Sequence, residues 1–238
     1  MIDPDEIPIN QVSWRPARRI VRTLHPPIDL FEDVADPEDW PLLIAAEMKT
    51  NPRLAETIGK LDLVPPDRRV SGPGASYLMA PFTHVSSERP SRFSDGQFGV
   101  LYLGRSFETA LAETIHHHEV FMTTTNQMPG WTSQFRELLI DVDGMLRDLR
   151  GEKSDFSMFL SPSDYTKPQN LSALLRNSGT DGIVYPSVRD PGGECAALFH
   201  PNLASNVIQG RHLDYHWNGE RVDLVREIST STRIFRVK

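Results

Sequence analysis

A chain of 238 residues with 39% apolar side chains is long enough for one sizeable core, and a single domain over residues 1–238 is the simplest partition. A formal net charge of -7 and a pI near 5.6 exclude a surface built throughout for nucleic acid, which needs many lysine and arginine contacts to phosphate. The single cysteine, Cys195, excludes an internal disulfide and a cysteine-based metal cluster, the opening MIDPDEIP lacks the basic start and apolar stretch of a secretory signal, and no apolar run reaches membrane-spanning length, so a soluble, cytoplasmic protein with no membrane partner is expected.

In chain order, prolines at 4, 8, 16, 26 and 27 fix extended or turn backbone. They predict an N-terminal arm over 1–16 and a short strand at 17–21. Asp36 as N-cap, Pro37 at the first helical position and Asp39 in the first turn predict a helix running to about Lys49. Asn51 and Pro52 repeat that start, and Gly59 stops a second short helix. Residues 63–76, LVPPDRRVSGPGAS, read as a loop, and 36–76 together as a helical and loop insertion. FGVLYLG at 98–104 is a buried strand signal. Ser106 then opens a helix whose apolar positions Phe107, Ala110, Leu111 and Ile115 recur at helical spacing. A strand is predicted at 135–142 and a helix from Pro168 to a stop at Gly179. Strands follow at GIVYPSV and ECAALFH, with Gly192 and Gly193 as the turn between them. LDYHW and RVDLVREI flank Asn218-Gly219, a two-residue hairpin signal, with a last strand at TRIFRV in a C-terminal hairpin region over 205–238. Few helices among many strands indicate an α+β fold, with a mixed or antiparallel sheet and flanking helices.

Three side chains able to do chemistry fall along one loop, strand and helix. Arg92 precedes a glycine-containing turn, Tyr102 lies in the strand, and Glu113 sits about two helical turns into the following helix, enough to return over the strand end. By spacing alone these are a surface charge, a core-edge tyrosine and a helix-face carboxylate. Consecutive His116, His117 and His118 point about 100 degrees apart on a helix, so no metal site is expected of them; a solvated helix end, with a cationic histidine suiting the dipole, is. Gly72 and Gly74 lack a following helix signal and the lysine of a phosphate loop, and Cys195 reads as a small core residue.

The ordered series Arg19 in ARRIV, Arg92 in SRFSDG, Tyr102 in LYLG and Glu113 in ALAETI resembles the RES domain family, toxins of bacterial toxin-antitoxin pairs. The likeness extends to DGIVYPSVRDPGGECAALFHP at 181–201, and PPIDLFEDVADP at 26–37 is similar to the longer members. The resemblance implies a fold like that of ADP-ribosyltransferases and degradation of NAD by hydrolysis or phosphorolysis. NAD is then a substrate, with no bound cofactor. It also implies a hydroxyl at the site, with Ser187 in YPSVR and Thr166 in SDYTKPQ both in stretches like the family's. Ser187 reads equally as a turn hydroxyl after Pro186, and Arg18 or Arg22 can take the place of Arg19. The implied partner is an Xre-like helix-turn-helix antitoxin. The acceptor of the ADP-ribose is water, phosphate or a protein side chain, the last making the chain an ADP-ribosyltransferase. A non-catalytic NAD-binding or interaction module is the alternative from a different class.

The residue types suit NAD cleavage. Planar guanidiniums match the two charges of a pyrophosphate, a tyrosine offers its face to nicotinamide, and a carboxylate aimed at ribose stabilises the positive charge that grows on the sugar as the bond breaks. Nicotinamide departs well from its cationic state, so no second carboxylate is needed.

Overall fold

The structure, a computed structural model, describes residues 4–24, 32, 36–47, 58–151, 154–228 and 233–236. Strands β1 (Ile9–Arg22), β2 (Leu101–Gly104), β3 (Trp131–Asp148), β4 (Gly182–Pro186), β5 (Glu194–Leu198), β6 (Ala204–Trp217), β7 (Val222–Glu227) and β8 (Arg233–Arg236) form one mixed sheet. Helices α1 (Trp40–Glu47), α2 (Ala75–Thr83), α3 (Phe107–Thr123) and α4 (Thr166–Asn177) flank it. The fold is α+β, as the alternation of elements predicts. No described helix is long and apolar enough to cross a membrane.

The long strand β3 organises the sheet. Antiparallel β1 runs along one edge from Ile9↔Arg147 to Arg22↔Phe135, while the other edge takes antiparallel β6 and then, at Arg147↔Ile183, parallel β4. Because β1 also meets β2 at Arg18↔Gly104, and β2, β5 and β4 pair in turn, the strands β3, β1, β2, β5 and β4 close a ring. The remaining β6, β7 and β8 extend from it as an antiparallel meander. Alternate residues of β4 and β5 enter two different cores: Val184, Ala196 and Leu198 pack with α2, whereas Ile183, Tyr185, Cys195 and Ala197 pack with Leu171 and Leu175 of α4. That two-sided burial is why ECAALF reads as a continuous apolar run. A third core joins Phe107, Ala110, Ile115 and Met122 of α3 to Phe135, Leu213, Tyr215 and Val225.

Several sequence expectations need correction. The 1–16 arm with a short following strand is instead a 14-residue strand, because Pro16, which has no N–H to give, sits where the register shifts between Trp14 and Ala17. The 63–76 loop is bounded by a helix that begins at Ala75, directly after the left-handed Gly74. Glu32, distant in sequence, supplies its N-terminal partners: the carboxylate accepts from Gly74 N, from Ser76 N at 3.1 Å and from Ser76 Oγ at 2.6 Å. Described residues of the 36–76 segment belong to the main core, with Trp40, Ile58, Leu61 and Val64 packed in one cluster with Leu138 and Ile140. α1 starts at Trp40, after a turn in which Asp36 accepts from Glu38 N at 3.1 Å. Residues 51–57 of the predicted second helix, the end of the first near Lys49 and most of 26–37 lie outside the described residues. The hairpin between β6 and β7 turns on Gly219 and Glu220, since Asn218 N bonds to Arg221 O and the Asn218 side chain accepts from Glu220 N and Arg221 N.

The three histidines lie within α3, which continues to Thr123, so they are no helix end. His118 is buried, packed edge-on against Phe135 and Tyr215, and its Nε2 has no hydrogen-bond partner among the described residues. Burial, with the Arg22 cation, lowers its pKa from 6.5 to about 4, which keeps it neutral rather than cationic. An unfolded chain takes up a proton at this site near pH 6.5 and the folded one does not until about 4, so stability falls as pH drops through that window. His118→Phe is expected to flatten the dependence of melting temperature on pH across it; an unchanged slope would contradict the burial account.

Candidate active site

One cavity of about 320 Å³ gathers side chains from β1, the 91–97 turn, β2, α3, β4 and β5. It opens where β1 and β2 part after their one pairing at Arg18↔Gly104. Gly104 is needed here: a Cβ on it would lie 2.7 Å from Ala110 N, so glycine lets the first turn of α3 settle on the end of β2. Ser106 caps α3, its Oγ accepting from Thr109 N at 3.1 Å, and two turns further on Glu113 faces the cavity.

Arg19, Arg92, Tyr102 and Glu113, predicted from the sequence, all line this cavity. Arg19 Nη1 donates to Tyr102 O at 3.2 Å, taking a carbonyl that β1 leaves unpaired as the strands diverge. Burial lowers the Arg19 pKa to about 10, still a cation at neutral pH. Arg92 occupies a tight turn closed by Ser91 N to Ser94 O at 2.8 Å. Its Nη1 donates to Phe159 O at 3.3 Å and Ser161 O at 2.6 Å, and its guanidinium lies 4.8 Å from the centre of the Tyr165 ring. The Tyr102 hydroxyl accepts from Phe93 N at 2.8 Å and pairs with Ser91 Oγ at 2.8 Å, so β2 holds the Arg92 turn from beneath. Burial outweighs those hydrogen bonds and pushes the Tyr102 pKa up to about 12.

Ser187 is a turn hydroxyl and more. Its Oγ accepts from Arg189 N at 3.1 Å and Asp190 N at 3.0 Å, which leaves its proton for Glu113 Oε1 at 2.7 Å. Cys195 Sγ lies 3.8 Å from the same oxygen, and its pKa is raised by burial and by Glu113, so it stays a thiol and a weak donor, not a nucleophile. Glu113 is thereby held in one rotamer from the β4 and β5 side. Ser187→Ala is expected to slow turnover about 10–100-fold by freeing the carboxylate. It should also cost about 1–2 kcal/mol of stability, because two backbone N–H groups lose their acceptor. Steady-state kinetics beside urea unfolding check both; full turnover in a destabilised protein would show that Ser187 serves the turn alone.

Thr166 is exposed at the first position of α4, with its N–H on Asp164 Oδ1 at 2.9 Å, and does not line the cavity. Its neighbour Tyr165 does. Arg22 is also outside, stacked over Phe121 at 5.3 Å, whereas Arg18 and Arg19 both line the wall. Sequence reasoning missed Thr114, Tyr165, Tyr185 and His117. Tyr185 lies in the YPSVR stretch singled out for its serine, and the sequence reading of His117 covers a metal ligand and a solvated helix end but no place in a cavity wall. Burial and the Arg189 and Arg92 cations hold the His117 pKa below its usual value. Among the described residues that line the cavity are three arginines, Arg18, Arg19 and Arg92, one carboxylate, Glu113, and three tyrosines, Tyr102, Tyr165 and Tyr185.

The profile of the RES domain matches residues 66–218, well over half of the chain. The chain belongs to the RES domain family. That match spans Arg92, Tyr102, Glu113 and Ser187, while Arg19 lies on β1 before it. Over 221 residues this RES protein is 28% identical to the uncharacterized protein y4oC of Sinorhizobium fredii (strain NBRC 101917 / NGR234), covering 93% of this chain and 89% of that one. Its fold has a TM-score of 0.47, at 10% identity and over 90% of both chains, to a chain in the crystal structure of the M. tuberculosis MbcT-MbcA toxin-antitoxin complex.

Proposed function

We propose that this RES protein is the toxin of a toxin-antitoxin pair and that it cleaves the nicotinamide-ribose bond of NAD. The observation that carries the reading is the charge pattern of the cavity: among its described lining residues, three arginines and a single carboxylate, itself tethered by Ser187 and Cys195. Such an excess of cations calls for an anionic substrate, and planar forks suit phosphate oxygens. The volume of about 320 Å³ is at the small end for ligand sites, which suits a nicotinamide-ribose unit inside and the remaining nucleotide along the open mouth.

In this reading Arg19 and Arg92 grip the pyrophosphate. Arg92 spends one nitrogen on the carbonyls of Phe159 and Ser161, and its remaining N–H groups face the substrate. The faces of Tyr102, Tyr165 and Tyr185 offer stacking surface for the cationic ring. As the C–N bond breaks, its electron pair returns to the ring nitrogen, nicotinamide leaves neutral, and the ribose carbon becomes cationic beside Glu113. Water, phosphate or a protein nucleophile then attacks that carbon. The acceptor alone separates an NAD hydrolase or phosphorylase from an ADP-ribosyltransferase. The antitoxin partner is carried by family membership rather than by cavity geometry.

The test is incubation of the purified protein with NAD in buffer, with inorganic phosphate, and with bacterial protein extract. Chromatography follows free nicotinamide, and mass spectrometry follows ADP-ribose, its 1-phosphate and modified protein. Nicotinamide release in any arm is the expected result and the co-product names the acceptor. Intact NAD in all three arms contradicts the reading, and saturable binding of intact NAD would make the chain a binding module.

A further inference from the structure

We propose that Arg18 is an additional oxyanion-binding arginine of the cavity and that the buried carboxylate of Glu137 positions it, an inference that rests on the cavity being the substrate site. Arg18 and Arg19 are consecutive residues of a strand, yet both line the wall. Arg19 is occupied by the Tyr102 carbonyl. Among the described residues Arg18 has an ion pair, Nε to Glu137 Oε1 at 3.4 Å, and its Nη1 is buried with no hydrogen-bond partner. A buried charged donor without a partner is costly to the protein, and a ligand in the adjoining cavity would relieve that cost.

Glu137 is placed by a bulge. The register of β3 on β6 shifts between Arg136↔His212 and Leu138↔Gln209, so Glu137 stands opposite Gly210 and Arg211 together. Arg211 N donates to Glu137 Oε2 at 3.2 Å, and Arg211 Nε lies 3.7 Å from the same oxygen. A Cβ on residue 210 would come within 2.7 Å of Oε2, so Gly210 is what allows the carboxylate to lie against the strand. The Glu137 side chain is only 4% exposed, a burial that charge tolerates only when compensated.

The charges do not cancel. Two guanidiniums share one carboxylate, leaving one positive charge, and Arg211 is turned away over the Phe107 ring at 3.9 Å. Arg18 is the member of the pair that reaches the cavity. The ligand chemistry this fits is a phosphate-type oxyanion, which under the NAD reading is a phosphate of the dinucleotide.

The test is isothermal titration of the full-length protein with inorganic pyrophosphate and, separately, with ADP-ribose. Arg18→Ala is expected to weaken pyrophosphate binding at least about tenfold, and Glu137→Gln, which keeps the shape and the bond from Arg211 N, about three- to tenfold. Because Glu137 acts through Arg18, Glu137→Gln should add nothing in the Arg18→Ala background, a coupling that a merely structural role would not produce. Arg18→Lys, with charge but no fork, should fall between parent and Arg18→Ala. Pyrophosphate affinity within twofold of the parent in Arg18→Ala, additive losses in the double variant, or a parent that takes up neither probe each overturn the inference. Arg18-dependent pyrophosphate binding without any nicotinamide release supports it while sinking the NAD reading; nicotinamide release with pyrophosphate binding indifferent to Arg18 does the reverse.

Discussion

Glu113→Gln lowers nicotinamide release from NAD about 10²–10⁴-fold while the melting temperature stays near that of the parent protein. The substitution keeps the shape and an oxygen that can still accept from Ser187 Oγ, so the tether that sets the rotamer survives and only the charge is lost. Glutamine offers a growing sugar cation a weak dipole in place of a full negative charge. Glu113→Ala is the less informative variant, because it leaves the Ser187 proton without its acceptor in a half-buried site. Stopped-time assays of free nicotinamide at saturating NAD measure the effect. A Glu113→Gln protein that turns over within threefold of the parent would remove the carboxylate from the chemistry.

Arg92→Met is expected to cost about 2–4 kcal/mol of stability as well as most of the activity, since charge-assisted bonds are among the strong ones and their carbonyl partners would be left behind. Arg92 is only 7% exposed, and its Nη1 ties the 91–97 turn to Phe159 and Ser161 while Tyr165 covers the guanidinium. The same residue therefore builds the cavity wall and, under the proposed function, gives its remaining donors to the substrate. Arg92→Lys should recover part of the stability, through one ammonium bond, and little of the turnover, because a point charge does not reproduce the fork. Urea unfolding and kinetics on the pair separate the two roles. Equal recovery of both in Arg92→Lys would show that the guanidinium acts on the substrate only through the fold.

The helix after Ser106 and the strand before it were legible because their signals are local: a capping serine, apolar residues at helical spacing, and a short β-branched and aromatic run. That local reading also placed Arg92, Tyr102 and Glu113 along one unit, and the cavity holds all three. What was not legible depends on partners far away in the chain. α2 follows a proline- and glycine-rich stretch and owes its N-terminal hydrogen bonds to Glu32. β1 runs through Pro16 because β3 tolerates a register shift at that point. The two-sided role of Ser187 appears only once the turn after β4 meets α3 across 74 residues of sequence. Thr166, the weaker hydroxyl candidate in a stretch like the family's, is exposed at the helix start, and its neighbour Tyr165 lines the cavity. The choice among Arg18, Arg19 and Arg22 could not come from sequence either, since it turns on where β1 leaves β2.

The most direct measurement of the central claim is a crystal structure of the Glu113→Gln protein soaked with NAD. The account predicts the dinucleotide in the cavity, its ribose C1′ about 3–3.5 Å from the residue 113 side chain. Its pyrophosphate should lie on the guanidiniums of Arg19 and Arg92. NAD seated elsewhere, or seated in the cavity with its ribose facing away from residue 113, would contradict it.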